Sequence, residues 1–284
     1  MNYQIRPITP GLYFVATPIG TARDITLRAL DVLASADVLA AEDTRTLRKL
    51  MDIHGVPLGD RPMIAYHDHN GESARPKLMR YLEAGKSIAY ASEAGTPLVA
   101  DPGFGLAQVA QEAGITVTSA PGPSAVITAL SIGGLPTDRF FFAGFLPSAK
   151  GQRRGYLAEI SDVPGTLAFY ESPKRLVASL SDMARVLGPD RPAAVCRELT
   201  KKFEEVARGT LTELATQFSE RSIKGEIVVL VDRQRKAAMT EEDVETALKK
   251  ALETLSVKDA ASMVAEAYDL PRRDIYQAAL KLSD

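Results

Sequence analysis

The feature that most constrains this chain is the alternation in its first half. Short apolar runs stand at 11–15 (GLYFV), 37–41 (DVLAA), 63–66 (MIAY), 87–91 (SIAYA) and 115–119 (ITVTS). Single helical patterns lie between them, at 26–35, 44–53, 72–84 and 104–113. Buried strands separated by one helix each read as βα crossovers, the connection that a parallel sheet requires. The tripeptide EAG at 83–85 and again at 112–114 marks helix ends, because glycine accepts the left-handed turn that follows a helix.

The second half mixes strands and helices in a less regular order. Strand-like runs stand at 139–145, 165–170, 193–199 and 226–231, with helices near 150–160, 173–187 and 211–220. Residues 200–211 (TKKFEEVARGTL) read as a hairpin arm or a long turn. The composition shifts at 133–139 (GGLPTDR) and again after DRQRK at 232–236. These breaks predict an N-terminal α/β domain over 10–136, a C-terminal α/β domain over 137–236 and a small helical tail over 237–284. The tail reads as three short helices. Thr240 with Asp243 and Ser256 with Asp259 have N-cap spacing, and Pro271 suits a first helical turn. Its ten acids against six bases argue for a packing or docking element rather than a duplex reader.

Composition enters only to exclude. One cysteine, Cys196, leaves no disulfide within the chain and fits a reducing compartment. A net charge of −2 gives no global basic field. No signal-peptide h-region and no membrane-length apolar stretch is visible. The expectation is a soluble cytoplasmic protein with no membrane partner.

Three loops carry more backbone punctuation than a connection needs: 16–26 (ATPIGTARDIT), 90–110 (YASEAGTPLVADPGFGLAQVA) and 120–130 (APGPSAVITAL). Each follows a predicted strand, so parallel strands bring all three to one sheet edge. That edge is where open α/β sheets bind ligands, and glycine lets backbone approach a ligand closely. Neither a P-loop nor GxGxxG is present. His67 and His69 make a His-x-His pair without a third-ligand pattern, so no metal is expected. No GxSxG elbow occurs, and Cys196 lies within a strand pattern, so nucleophilic catalysis has no carrier. Basic clusters at Arg45, Arg48 and Lys49, at Lys150, Arg153 and Arg154, and at Arg197, Lys201 and Lys202 read as solvated faces or as phosphate contacts around one cleft.

Six motifs in order resemble one family. They are ATPIGTARDITLRALDVLASADVLAAEDTR, SEAGTPLVADPG, PGPSAVITALSIGGLPTDRFFFAGFLP, FYESPKRL, RELTKKFEE and KGEIVVLV. Together they are similar to the RsmI-type small-subunit rRNA methyltransferases of the tetrapyrrole methylase superfamily, from about residue 10 to 232. The helical tail also looks like the appendage of bacterial members. The first loop, Thr17-Pro18-Ile19-Gly20, separates this branch from the cobalamin and sirohaem methylases, which carry a GxGPGD type there.

The resemblance implies two α/β domains of the tetrapyrrole methylase type, with S-adenosylmethionine bent into the cleft between them. It implies methyl transfer to the ribose 2′-oxygen of a decoding-centre cytidine of 16S rRNA in the small ribosomal subunit, position 1402 in the usual rRNA numbering. A homodimer is expected. Carried over, the cofactor residues are Pro18 of the first loop; Ser92, Glu93, Ala94, Gly95, Thr96, Leu98 and Val99 of the second; Gly122, Ser124 and Ala125 of the third; and Tyr170 and Gly225. Asp24, Asp43 and Glu93 are the catalytic candidates, with Asp101 and Glu198 as further acids near the cleft. Arg23, Arg45, His67, His69, Lys150 and Lys201 are the candidates for RNA contact. The chain departs from the family at Glu93 (usually Asp), at Thr21-Ala22 (usually Asn-Leu) and at Lys174 (usually His). The competing readings are a methylase of a tetrapyrrole or other small acceptor, a catalytically inactive RNA-associated protein, and a plain nucleotide-binding module.

Overall fold

The structure, a computed structural model, describes residues 2–67, 70–100, 103–234, 241–268 and 270–283. Two compact units span Met1–Gln234 and Arg235–Asp284.

The first unit holds two five-stranded sheets. In the first sheet, β1 (Gly11–Val15), β2 (Val38–Ala41), β3 (Met63–Ala65), β4 (Ser87–Ala91) and β5 (Val117–Ala120) run in the order β3-β2-β4-β1-β5. Every pairing is parallel, as the crossover pattern predicts. The crossovers are α1 (Leu27–Ser35), α2 (Thr44–His54), α3 (Gly71–Glu83) and α4 (Phe104–Glu112). Side chains alternate across the sheet. Leu12, Phe14, Ile88 and Tyr90 pack with Leu78 of α3 and Leu106 of α4. Val15, Ala89 and Ala91 face Leu30 and Leu33 of α1 and Leu47 and Met51 of α2. Both faces are covered, which is why these strands read as continuous apolar runs. Gly85 and Gly114 turn the chain after α3 and α4 at φ of 72° and 70°.

Helix α5 (Ala125–Gly133) differs from the sequence reading, in which 120–130 is a loop. Its segment AVITALSIG is apolar nearly all round and shows no amphipathic stripe, because Ile127 on the exposed side is as apolar as the buried Val126, Ala129 and Leu130. Val126, Ala129 and Leu130 join a core with Ala168, Ala194, Val228 and Leu230. A Cβ on Gly133 would collide with Leu230.

That core lines one face of the second sheet. Its strands β6 (Phe140–Phe145), β7 (Thr166–Glu171), β8 (Pro192–Arg197), β9 (Glu205–Thr210) and β10 (Ile227–Val231) run in the order β6-β7-β10-β8-β9. The β6–β7 pair is parallel and the other pairings are antiparallel. The segment expected as a hairpin arm is β9 with the turn before it. Helices α6 (Lys150–Glu159), α7 (Leu176–Leu187) and α8 (Leu211–Ser219) cover the other face through Leu157, Leu180, Met183, Leu214 and Phe218. The first sheet thus ends, and the second begins, between α5 and β6, while α5 packs on the second sheet.

In the second unit, α9 (Glu241–Leu252), α10 (Val257–Tyr268) and α11 (Arg272–Ser283) close around Leu248, Ala260, Val264, Ile275 and Ala279. Ser256 Oγ accepts the Asp259 amide at 3.2 Å, so the expected cap is formed. The Thr240 cap lies outside the described residues. No helix among the described residues is long and apolar enough to cross a membrane.

Candidate functional site

All parallel strands of the first sheet end on one edge, and the three punctuated loops leave from it. They are locked to one another through backbone. Thr17 and Gly95 exchange amide–carbonyl bonds at 2.9 and 3.0 Å. The buried Ser92 donates its hydroxyl to the Gly95 carbonyl at 2.9 Å, and Thr96 donates to the Pro123 carbonyl at 2.9 Å. Gly95 sits at φ 86°, and a Cβ there would press on Ile19 at 3.3 Å. The position therefore needs glycine for two reasons, backbone sign and space.

Facing these loops is the 198–201 turn between β8 and β9. A Cβ on Gly20 would collide with Thr200 and Lys201, and the Thr21 amide donates to Thr200 Oγ1 at 3.2 Å. Among the described residues, four non-glycines have positive φ: Leu98 (72°), Ala100 (59°), Glu198 (53°) and Thr200 (62°). All four lie in the two segments that wall one cleft. Backbone strain of order 1–3 kcal/mol per residue persists only where surroundings enforce it, and it clusters at functional sites.

The cleft has a volume of about 450 Å³. Ile19, Leu199, Val228, Phe145 and Tyr170 supply its apolar wall, and Phe145 and Tyr170 rings lie 5.5 Å apart. Its charged lining is of one sign: Glu42, Glu93, Glu171 and Glu226, with no lysine, arginine or histidine among the lining residues. Glu171 is buried and held by Ser179, by the Ser172 amide and by Arg175. Glu42 accepts the Glu93 amide at 3.2 Å. The Glu93 carboxylate is exposed and makes no hydrogen bond or ion pair with a described residue. Cys196 also lines the cleft, but burial pushes its thiol up to about 11, so it is inert as a nucleophile.

Of the cofactor residues expected from sequence, Glu93, Ala94, Gly95, Thr96 and Val99 line the cleft from the second loop. Ser124, Ala125, Tyr170 and Gly225 line it from the other walls. Ser92, Pro18, Leu98 and Gly122 stand behind the lining. Ser92 braces Gly95, Leu98 packs over Gly103, and Gly122 fits against Ala16. Pro18 is half-buried in the first loop.

The catalytic candidates separate. Asp43 caps α2: it accepts the Arg45 amide at 2.8 Å and the Arg45 guanidinium at 2.8 and 3.2 Å. Those hydrogen bonds hold its carboxyl down to about 2. Asp24 is exposed in a short turn at 22–24, off the cleft lining. Only Glu93 of the three faces the cleft. Glu198 is tied to Lys201, which bridges it to Glu226 at 2.9 Å on each side. The Lys201 hydrogen bond lowers the Glu198 carboxyl. Burial works to lower Lys201, but its two carboxylate partners outweigh that and raise it. Asp101 lies outside the described residues.

The RNA candidates are likewise dispersed. Lys201 is committed to its two carboxylates. Arg45 is 90% exposed beside Asp43 and Glu93, and Arg23 and Lys150 are exposed without ion pairs among the described residues. His67 is half-buried in the connection between β3 and α3, and His69 lies outside the described residues. At the departures from the family pattern, Thr21 bonds Thr200, the Ala22 carbonyl meets His54 Nε2 at 2.9 Å, and Lys174 is exposed. Sequence reasoning missed Phe145, Glu171 and Leu199 as lining. Each lies inside a motif already singled out; strand ends bring Phe145 and Glu171 to the cleft, and the turn after β8 brings Leu199 there.

Comparison with known proteins agrees with this architecture. Residues 11–215 match the model of the Tetrapyrrole (Corrin/Porphyrin) Methylases, and residues 238–283 match the RsmI C-terminal HTH domain. The chain is 47% identical over 280 residues to Ribosomal RNA small subunit methyltransferase I of Mesorhizobium japonicum, covering 98% of this chain and 94% of that protein. It is 42% identical over 276 residues to the protein of that name from Escherichia coli O157:H7, covering 95% and 94%. Among solved structures, uroporphyrin-III C-methyltransferase of Thermus thermophilus, complexed with S-adenosyl homocysteine, aligns with a TM-score of 0.55 at 22% identity, over 78% of this chain and 96% of that one.

Proposed function

We propose the activity from one premise: the chain belongs to the ribosomal RNA small subunit methyltransferase I family, within the tetrapyrrole methylases. It is an S-adenosylmethionine-dependent methyltransferase of small-subunit rRNA. Its acceptor is the ribose 2′-oxygen of a decoding-centre cytidine, and cytoplasmic ribosomal subunits are where it acts.

The observation that carries the reading is the sign of the cleft. Glu171 and Glu226 are paired with Arg175 and Lys201, but Glu42 and Glu93 have no ion pair among the described residues and no basic residue stands in the described lining, so the pocket disfavours a phosphate and favours a cation. S-adenosylmethionine bears a sulfonium and an ammonium against one carboxylate. About 450 Å³ falls within the range of small-molecule sites. The residues present therefore fit the cofactor. The backbone at 93–96 and 124–125 and the Gly225–Ile227 segment would hold its polar parts, with Tyr170 and Phe145 against its flat part. When bound, it supplies a methyl group already activated on sulfur.

What remains for the protein is alignment and a proton. Alignment comes from loops that cannot shift, since Thr17, Ser92, Gly95 and Thr96 are pinned to one another. The acceptor hydroxyl must lose its proton as the O–CH₃ bond forms. Glu93 is assigned this role because it faces the cleft with no described residue bonded to its oxygens, whereas the Asp43, Glu171 and Glu226 carboxylates are bonded elsewhere. A homodimer is the proposed working form. Phe140 and Phe141, exposed on the edge strand β6, support it, because an uncovered apolar edge is a pairing surface.

The test is transfer of tritiated methyl from S-adenosylmethionine to small ribosomal subunits from a strain lacking this protein, with naked 16S rRNA alongside. Label on a single ribose 2′-oxygen is expected. Cofactor binding without label would point to a small acceptor, and neither binding nor label to a protein without catalysis.

A further inference from the structure

The turn between β8 and β9 is built at some cost, and its most prominent side chain is Phe203. The ring is 63% exposed, on a turn that follows the cleft-lining Leu199. An exposed apolar ring on a loop that was free to move would fold against the surface. This turn is not free. Glu198 and Thr200 both hold left-handed backbone at φ 53° and 62°. The Glu198 amide donates to the Glu226 carbonyl at 2.9 Å, and the Thr200 amide to the Glu204 carboxylate at 2.6 Å. The Lys201 and Glu204 amides close the turn onto the carbonyls of Glu198 and Lys201 at 3.0 and 3.1 Å. The Lys201 ammonium is clamped by Glu198 and Glu226. Thr200 Oγ1 then fastens the turn to the first loop at Thr21.

Lys202 reaches over one face of the ring, its Nζ 5.5 Å from the ring centroid in a cation–π contact, and it forms no ion pair with a described residue. Two neighbouring lysines thus have opposite fates. Lys201 is spent on holding the turn, and Lys202 sits over the Phe203 ring with no carboxylate partner among the described residues. A ring 63% exposed, with a cation over one face that has no carboxylate partner among the described residues, has on this rigid support the chemistry that single-stranded RNA meets in its binding proteins: a base stacks on the open face and the neighbouring phosphate meets the cation.

We infer that Phe203 and Lys202 form a docking platform for a nucleotide flanking the methylated one, with the base stacked on Phe203 and a backbone phosphate at Lys202. The inference rests on the reading of the cleft as an rRNA methyltransferase site. Splaying the acceptor nucleotide into the cleft breaks its stacking with a neighbour, and Phe203 offers that neighbour a replacement surface. Lys201 is a positioning residue that keeps the platform at the cleft mouth.

The experiment compares the full-length wild type with Phe203→Ala, Phe203→Trp and Lys202→Met. Methyl transfer to small subunits is measured at varied subunit concentration, with S-adenosylmethionine affinity by calorimetry and oligomeric state by sedimentation. Phe203→Ala is expected to raise KM for subunits about tenfold, the scale of one lost base–aromatic stack. Cofactor affinity and oligomeric state stay unchanged, and Phe203→Trp restores KM. Lys202→Met reduces the salt slope of KM by about one. An unchanged KM for Phe203→Ala overturns the inference while leaving the methyltransferase reading intact. So does a raised KM that comes with a changed oligomeric state, since the ring then faces a second copy of the chain. Wild type that labels no subunits fails the methyltransferase reading first, and the platform with it.

Discussion

The amide of Thr21 donates to the hydroxyl of Thr200 at 3.2 Å, joining residues 179 positions apart. This bond crosses from the first punctuated loop to the strained turn of the second sheet, and it closes one end of the acidic cleft. Thr200 holds left-handed backbone to make it. Thr200→Val should keep the cofactor affinity within about threefold but raise KM for the RNA-bearing subunit. Losing a hydrogen bond of about 1 kcal/mol at an exposed position corresponds to about a fivefold change. Steady-state kinetics beside calorimetry separates the two.

Gly95→Val places a branched side chain at φ 86° against Ile19. The left-handed backbone alone costs about 1–2 kcal/mol for a residue with a Cβ. We expect at least a tenfold loss of S-adenosylmethionine affinity by calorimetry, with the fold retained by circular dichroism. Unchanged affinity would remove the second loop from the cofactor cradle.

Glu93→Gln tests the proton acceptor. A lost general base typically costs 10²–10⁴-fold in rate. The expected result is a kcat lowered by about 10² in single-turnover assays, with cofactor affinity changed by less than tenfold. Asp43→Asn serves as the contrast. Asparagine also caps helices, and a carboxyl already held near 2 by Arg45 is a poor base. Its turnover should stay within about threefold of wild type.

Lys201→Ala should destabilise the first unit by about 1–2 kcal/mol at neutral pH, since it removes two charge-assisted hydrogen bonds at a partly exposed site. The pH dependence has two limbs. Glu198 is lowered in the fold, so its share is present above its ordinary 4.5 and lost as pH falls through the lower folded value. Lys201 is raised, so its share is present below 10.5 and lost as pH rises through the higher folded value. Chemical denaturation should therefore show a wild-type advantage that is flat from about pH 6 to 9 and shrinks below about 4.5.

The first sheet was legible because its central strands β1, β2 and β4 are buried on both faces and a separate helix follows each of the first four strands. The registers of β1, β2 and β4 follow from that alternation. Helix α5 was not legible: AVITALSIG carries an apolar residue, Ile127, on its exposed side as well as on its buried one, so no polar stripe marks the helical period. Gly95 could be named from sequence because its glycine punctuates a motif. Phe145 and Glu171 could not, because they end β6 and β7 and the register of a mixed sheet turns them to the cleft, nor could Leu199, which is turned there by the left-handed backbone of its neighbours Glu198 and Thr200. The same holds for Lys201 and Lys202. Adjacent and chemically identical in sequence, they differ only in whether Glu198 and Glu226 stand within reach.

Helix α5 also sets what can be done with pieces of this protein. Val126, Ala129 and Leu130 belong by sequence order to the first sheet's half, yet their burial is completed by Ala194, Val228 and Leu230 of the second. A fragment ended near residue 136 would carry an uncovered greasy helix into solution, and the complementary fragment would present a bare sheet face. The two halves are interlocked rather than strung together. Truncation, domain grafting and split-reporter fusions should therefore keep both together and place their cuts beyond Gln234.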